Sequence, residues 1–349
     1  MKPTFVALAT CAFLAACGGG DVFNTEEDND TGTGTDTDTD TGQPIDSDRT
    51  LPPGTASPTP AVAIFRSEAT STEAGKEGNG FASDISYDSQ NDTFTVDNLG
   101  FDGDNTYARG TAVSSLGPYA VYEADAQFPD TVTQNPINQF THRAIYGVST
   151  SGNTQFAIVR TGAYVDYGFG GFVYQRDNAV NLPTTGQALY TGNMAGMRDY
   201  RGRGGLEYTT SDITIAIDFD DFNDATGTRG DAVRGHITNR VIYDINGNDI
   251  TSTVLGRINA EENISLTALP NANFVVGPNV MDENGEIVGT LNSYYVDSSG
   301  DVQVFEEGNY YAIVSGNNAE EVVGVVVMES TIDPSAEAVR ETGGFIVYN

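Results

Sequence analysis

The stretch DITIAIDF, residues 212–219, alternates without a break. Ile213, Ile215 and Ile217 point to one side of an extended chain, and Thr214, Ala216 and Asp218 to the other. Period-two alternation of this kind marks a strand with one buried face, as in an antiparallel sandwich or barrel. Further short strand-like runs follow toward the C-terminus: AVRGHITNRVIYD (232–244), STVLGRINAE (252–261), NANFVVG (271–277), GEIVGTLNSYYVD (285–297), GNYYAIVSG (308–316), EVVGVVVME (321–329), whose Val322–Met328 is β-branched and almost unbroken, and GGFIVYN (343–349). Each run is bounded by Gly, Asn, Asp or Ser, the residues that turn a chain. Upstream lie DTFTVDNL (92–99), YAVYEADAQF (119–128), QFTHRAIYGVST (139–150), TQFAIVRTGAYV (154–165) and GGFVYQR (170–176). No stretch of twelve or more residues shows a helical period, so the fold class is all-β. The run from 181 to 349 suits an antiparallel barrel of about eight strands, preceded by a smaller β-rich region over 61–180. Gly235, Gly256, Gly289 and Gly324, placed within these runs, are expected to relieve crowding where a small barrel bends.

Composition narrows the function. The 349 residues carry 16 Lys and Arg against 49 Asp and Glu, a formal net charge of −33. Nucleic-acid binders need basic surfaces, so that class is excluded, and docking on anionic lipid by charge is disfavoured.

The N-terminal MKPTFVALATCAFLAAC pairs Lys2 with an apolar run from Phe5 to Ala16, too short to span a bilayer permanently. It reads as an export signal over residues 1–16. Its end, Leu14-Ala15-Ala16-Cys17, is similar to a bacterial lipobox, which implies lipid on Cys17 and a membrane partner through that anchor. Gly18, by analogy with bacterial lipoproteins, implies the outer membrane, facing the periplasm or the cell surface. Cys11 would leave with the signal, so the mature chain has no disulfide, and packing and sheet closure must stabilise it. Residues 17–60, rich in Gly, Thr, Asp and Pro, predict a disordered, self-repelling acidic spacer. Its Thr-Asp run lacks the Gly-directed turn and distal Glu of a calcium loop.

Three motifs carry a family resemblance. LPTTGQALYTGNMAG (182–196) resembles the opening barrel strand of transferrin-binding-protein-B-like surface lipoproteins. ITIAIDFDDF (213–222) with AVRGHITN (232–239) is similar to that family's paired strands. GNYYAIVSGNNAEEVVGVVVM (308–328) resembles its closing hairpin, with Gly316, Asn318, Ala319, Glu320, Glu321 and Gly324 on the family pattern in order. Two departures stand out: Val follows the second Gly where the family has an aromatic, and Asn replaces its Pro. The resemblance covers Leu182–Asn349. It implies a non-catalytic barrel that binds a protein or an iron-bearing carrier, with residues 61–180 as a handle-like sheet. An envelope scaffold without a discrete ligand is the alternative. An integral outer-membrane barrel is disfavoured, because many outward positions are Thr, Asp, Asn and Arg and the chain ends on Asn349 without a terminal aromatic.

Catalytic constellations are sparse. Adjacent Glu320 and Glu321 on a turn diverge, whereas an acid/base pair must share a site, so both are expected to cap backbone N–H groups. The two histidines, His142 and His236, stand far apart, and no zinc spacing or Gly-x-Ser-x-Gly elbow is present. His236 reads as a barrel-wall residue. Haem ligation is its sharper alternative, because some lipoproteins of this family group carry haem; otherwise no cofactor is expected. Two segments remain as candidate partner-binding surfaces. The first is RTGAYVDYGFGGFVYQR (160–176), with Tyr164, Tyr167, Phe169 and Tyr174 between Arg160 and Arg176, where core aromatic pairing is the default. The second is MRDYRGRGG (197–205), expected to be a hairpin loop, with Arg198, Arg201 and Arg203 pairing first with the protein's own carboxylates.

Overall fold

The computed structural model describes residues 46–47, 62–67, 82–97, 99–165, 167–178, 180–219, 233–276, 280–282 and 284–349. Lys2, Cys17 and the rest of the export signal lie outside the described residues, as does the spacer apart from residues 46–47. Residues 220–232 of the second family motif lie outside them as well.

The described strands of the first half are β1 (Asp46–Ser47), β2 (Val62–Ser67), β3 (Ser83–Asp88), β4 (Thr93–Asp97), β5 (Thr106–Arg109), β6 (Ser115–Leu116), β7 (Tyr119–Ala124), β8 (Gln127–Pro129), β9 (Pro136–Asn138), β10 (His142–Val148), β11 (Thr154–Thr161) and β12 (Gly170–Asn178). They form one sheet in the order β1-β3-β4-β5-β7-β10-β11-β12-β2, with β6 against β7, and a separate β8–β9 pair. β1 corrects the expectation of a spacer without structure: Asp46 and Ser47 pair parallel with Ser86 and Tyr87.

The second half holds β13 (Gln187–Arg201), β14 (Glu207–Asp218), β15 (Val233–Tyr243), α1 (Thr251–Glu262), β16 (Ala272–Phe274), β17 (Glu286–Val296), β18 (Val302–Ser315), β19 (Glu321–Ser330) and β20 (Ala338–Tyr348). The eight strands close into an antiparallel barrel, with β20 returning to β13. Closure gives each of the eight strands two neighbours, with the short β16 bridging β15 and β17. DITIAIDF behaves as its alternation requires. Ile213, Ile215 and Ile217 are buried in the barrel interior, among Tyr190, Phe274, Tyr310, Val322 and Phe345.

Several hairpins are written locally. Asp244, Asp282 and Asp297 each open an Asp-x-x-Gly-x loop and accept backbone N–H groups two and four residues on, at 2.8–3.0 Å. The Gly of each, Gly247, Gly285 and Gly300, has φ of +83°, +75° and +90°, where an L side chain is strained.

The expected strand over STVLGRINAE is corrected: it is helix α1. Val254, Leu255 and Ile258 recur at helical spacing and bury against Ile242, Tyr295 and Phe305. The β-branched residues and Gly256 masked that period. Gly256 has open space around it and relieves no crowding. Gly235, Gly289 and Gly324 do sit under close neighbours: a Cβ on Gly289 would lie 2.4 Å from Tyr310, and one on Gly235 2.5 Å from Phe274. Those two rings stack at 3.7 Å between the glycines.

One face of the first sheet covers the outer wall of β13, β18, β19 and β20. Phe156, Ile158, Phe172 and Tyr174 pack there against Met197, Ile313, Val325 and Ile346. Its other face encloses an aromatic core of Tyr87, Phe94, Tyr107, Tyr122 and Tyr146. Burying each large side chain contributes on the order of 1.5–3 kcal/mol, and the described residues, which contain no cysteine, rely on such packing.

A candidate binding cleft at the seam of sheet and barrel

The barrel is filled rather than hollow, as eight strands allow. Its lower half is apolar. Its upper half holds Arg240, paired with Glu306 (Nη2 to Oε1, 2.9 Å) and Glu341 (2.9 Å), with Thr209 and Ser293 hydroxyls donating to the same carboxylates at 2.9 and 3.0 Å. Burial opposes charge on both Arg240 and Glu306. Their mutual attraction outweighs it, raising the arginine's pKa and lowering the carboxylate's. Arg240 turns inward because β14 and β15 slip register between Thr210 and Asp212, leaving Asn239 at φ +51°. Counting by twos from Ile237 places position 240 on the outward face, where an Arg is expected, so no alternation count finds such a residue.

The two segments singled out in the sequence meet. Gly205 N–H donates to the Gly162 carbonyl (2.8 Å), Gly202 N–H to Val165 (2.7 Å), and Tyr167 N–H to Tyr200 (2.9 Å). The aromatic segment then divides. Tyr174 is fully buried between sheet and barrel, so it is core and not a recognition residue. Tyr164 packs edge-on against Phe169 (4.6 Å) and Phe140 (4.9 Å), and Phe140 against Phe101 (5.1 Å). Phe101 is 65% exposed, so this aromatic row runs from interior to solvent. Tyr167, at φ +54°, lies under the guanidinium groups of Arg340 (4.4 Å) and Arg201 (5.7 Å), and its hydroxyl donates to Glu329. Burial and Glu329 raise its pKa.

The expected arginine loop is mostly strand: β13 continues through Arg198 to Arg201, and only residues 202–206 turn. Arg198 is buried inside the barrel end, paired with Glu207 and, at 3.5 Å, Asp333. Arg201 reaches Glu329 at 3.4 Å. Self-pairing, ranked first from the sequence, holds for these two. Arg203 differs. Its guanidinium lies on the Tyr200 ring, 3.4 Å from the centroid, and donates to the Gly204 carbonyl (3.1 Å) and Ser335 Oγ (3.3 Å). No carboxylate pairs with it among the described residues.

Arg203 and Tyr200 line a cleft of ≈ 500 Å³ between the 139–143 loop, the 162–163 corner, the β13–β14 hairpin and the 244–250 loop. Phe140, Leu206, Ile245 and Ile250 supply apolar walls, and Arg143, Glu207 and Asp244 the remaining charge. Sequence inspection missed Phe140, Arg143 and the 244–250 loop here, because only the tertiary fold brings segments a hundred residues apart to one rim.

The other candidates fall elsewhere. Glu320 accepts Asn318 N–H (3.2 Å) at the closing turn, where Ala319 sits at φ +54°. Glu321 is buried in β19 near the hydroxyls of Ser149 (3.4 Å) and Ser315 (3.3 Å). It is a strand residue bridging barrel and sheet, which corrects its expected capping role. His236 lies on the outer wall beside Asn273 Oδ1 (2.8 Å), as a barrel-wall histidine would. His142 is buried in the sheet, stacked with Tyr107, and burial pushes its pKa down to about 4.

No protein-family model and no curated protein matches the chain. Solved structures similar to it include a mutant of transferrin binding protein B from Haemophilus parasuis Hp5, at 11% identity and TM-score 0.36, covering 82% of this chain and 45% of that one. The intact, two-lobed Ap-TbpB is similar at 12% identity and TM-score 0.32, covering 73% and 44%. A protein described as a surface lipoprotein is similar at 13% identity and TM-score 0.28, covering 56% and 76%. The chain thus spans less than half the length of these first two transferrin binding protein B structures.

Proposed function

We propose that this chain is a non-catalytic binding protein, held at the outer membrane by lipid on Cys17. Recognition takes place where the aromatic row and the β13–β14 hairpin meet. The observation that carries the reading is an open rim beside a barrel whose described interior is packed with side chains; a small barrel filled in this way recognises through its loops. Leu14-Ala15-Ala16-Cys17 supports the anchor. The partner in this reading is a protein, such as an iron-bearing carrier; transferrin is named for the similar proteins. The test is capture of transferrin-type carriers and haem by an immobilised full-length Cys17→Ser chain. Capture should weaken on Phe101→Ser, which alters an exposed side chain. Capture indifferent to that change would move recognition away from this rim.

A second reading, an envelope scaffold without a ligand, draws on the arginine pairing. Arg198, Arg201 and Arg203 changed together to Ser should lower stability. If no binding partner is affected as well, the scaffold reading gains.

A further inference from the structure

We propose that the cleft under the β13–β14 hairpin binds a small monocarboxylic acid with an apolar body, held by Arg203. The proposal rests on the recognition rim argued above and adds a ligand class to it.

The argument begins with charge. In a chain of net charge −33, arginines are heavily outnumbered by carboxylates. At the seam Arg143 pairs with Glu123 (3.0 Å), Arg198 with Glu207, Arg201 with Glu329 (3.4 Å) and Arg340 with Asp199 (3.0 Å). Arg203 alone among these meets only neutral partners, a carbonyl, a hydroxyl and a ring face. Those two hydrogen bonds use two of the five N–H donors of a guanidinium. A half-buried cation that lacks an anion is costly to hold, and an incoming anion recovers that cost.

The cleft's own carboxylates do not compete. Glu207 is engaged by Arg198. Asp244 accepts the backbone N–H groups of Asn246 and Asn248, at 2.8 and 2.9 Å, and the Asn248 side-chain amide at 2.8 Å. Both nevertheless repel a second negative charge, which favours a monoanion over a phosphate. A carboxylate is planar and meets an arginine's forked donors two at a time. Phe140, Leu206, Ile245 and Ile250 then favour an uncharged, apolar remainder. A volume of ≈ 500 Å³ falls within the range of small-ligand sites.

The experiment titrates the full-length Cys17→Ser chain with 3-phenylpropionate, 3-phenylpropionamide and phenyl phosphate, followed by ligand-observed NMR and calorimetry. Saturable one-site binding of the acid is expected, with the amide and the phosphate each weaker by about tenfold or more. Arg203→Gln should reduce acid affinity by about tenfold or more, and Arg203→Lys by less, because a point charge replaces the fork. Should Arg203→Gln unfold through loss of its Tyr200 contact, Ile245→Glu, on an exposed loop, places a carboxylate in the cleft and should abolish acid binding. Three results overturn the proposal: no saturable binding of the acid to the folded chain, equal binding of acid and amide, or acid affinity unmoved by either folded variant. Protein capture that persists at the rim alongside any of these refutes the ligand class and leaves the rim standing.

Discussion

Arg240 on β15 and Glu306 on β18 face each other inside the barrel as a two-pronged pair, both guanidinium termini on both carboxylate oxygens. Both side chains are almost fully buried. An ion pair in this position is hard to lose by halves. Glu306→Gln should destabilise the protein by roughly 3–5 kcal/mol, because it leaves Arg240 partly unpaired in the interior. The triple change Arg240→Met, Glu306→Met and Glu341→Met, which leaves no member of the cluster charged and alone, should recover much of that loss. Guanidinium unfolding curves of the three chains decide the matter; a single variant as stable as the parent would mean water already reaches this end of the barrel.

Acid should act in two windows. Burial holds the folded-state pKa of His142 at about 4, below its ordinary 6.5. The unfolded chain therefore takes up the proton first as pH falls, and stability declines between 6.5 and 4, by up to about 3 kcal/mol. Asp333, held down to about 2 from 3.8 by Arg257 and Ser335 against its burial, contributes stability that is present above 3.8 and lost as pH falls toward 2. His142→Gln should flatten the upper window and leave the lower one in place. A parent chain equally stable at pH 7 and pH 4.5 contradicts the buried, neutral histidine.

Gly289 has no room for a methyl group. Gly289→Ala would set a Cβ 2.4 Å from the Tyr310 ring, which is itself stacked on Phe274 and cannot withdraw freely. Overpacking of this kind costs about 1–3 kcal/mol. Gly256→Ala, on the exposed side of α1 with nothing near it, should instead stabilise by roughly 0.5–1 kcal/mol. Thermal unfolding of the pair tests both signs at once.

Glu320→Ala removes the acceptor for Asn318 N–H at the closing turn. Loss of a cap costs roughly 0.5–2 kcal/mol, and the exposed setting places this one at the low end. Binding at the seam should be unaltered. A loss of binding with an unchanged melting temperature would place Glu320 in a site instead.

Cys17→Ser should move the protein from the membrane fraction to the soluble fraction and abolish labelling with a fatty-acid analogue. An unchanged distribution would remove the lipid anchor from the proposed function.

Salt dependence separates partner classes. Surface charge of −33 slows an anionic partner until salt screens it, so affinity for such a partner should hold or rise from low to physiological salt. A basic partner should weaken over the same range.

The sequence alone determined the class of fold. Period-two alternation is a backbone property of each strand, so DITIAIDF announced its buried face without any partner in view. The Asp-x-x-Gly-x turns did likewise, because Asp supplies the acceptor and Gly the left-handed φ within five residues. A barrel of about eight strands followed from these local signals and from the motifs over Leu182–Asn349, although one run read as a strand is helix α1. What lay beyond local patterns was decided only by the tertiary structure. α1 is helical because Ile242, Tyr295 and Phe305 cover Val254, Leu255 and Ile258, an environment its own β-branched residues do not encode. The register slip beside Asn239 put Arg240 inside the barrel against carboxylates on distant strands. Among three arginines that look alike in MRDYRGRGG, the fold buried Arg198, paired Arg201 and left Arg203 facing a cleft without a counter-ion among the described residues. Charge pairing acts over a few ångströms in space, whatever the separation along the chain, so only the folded arrangement could sort them.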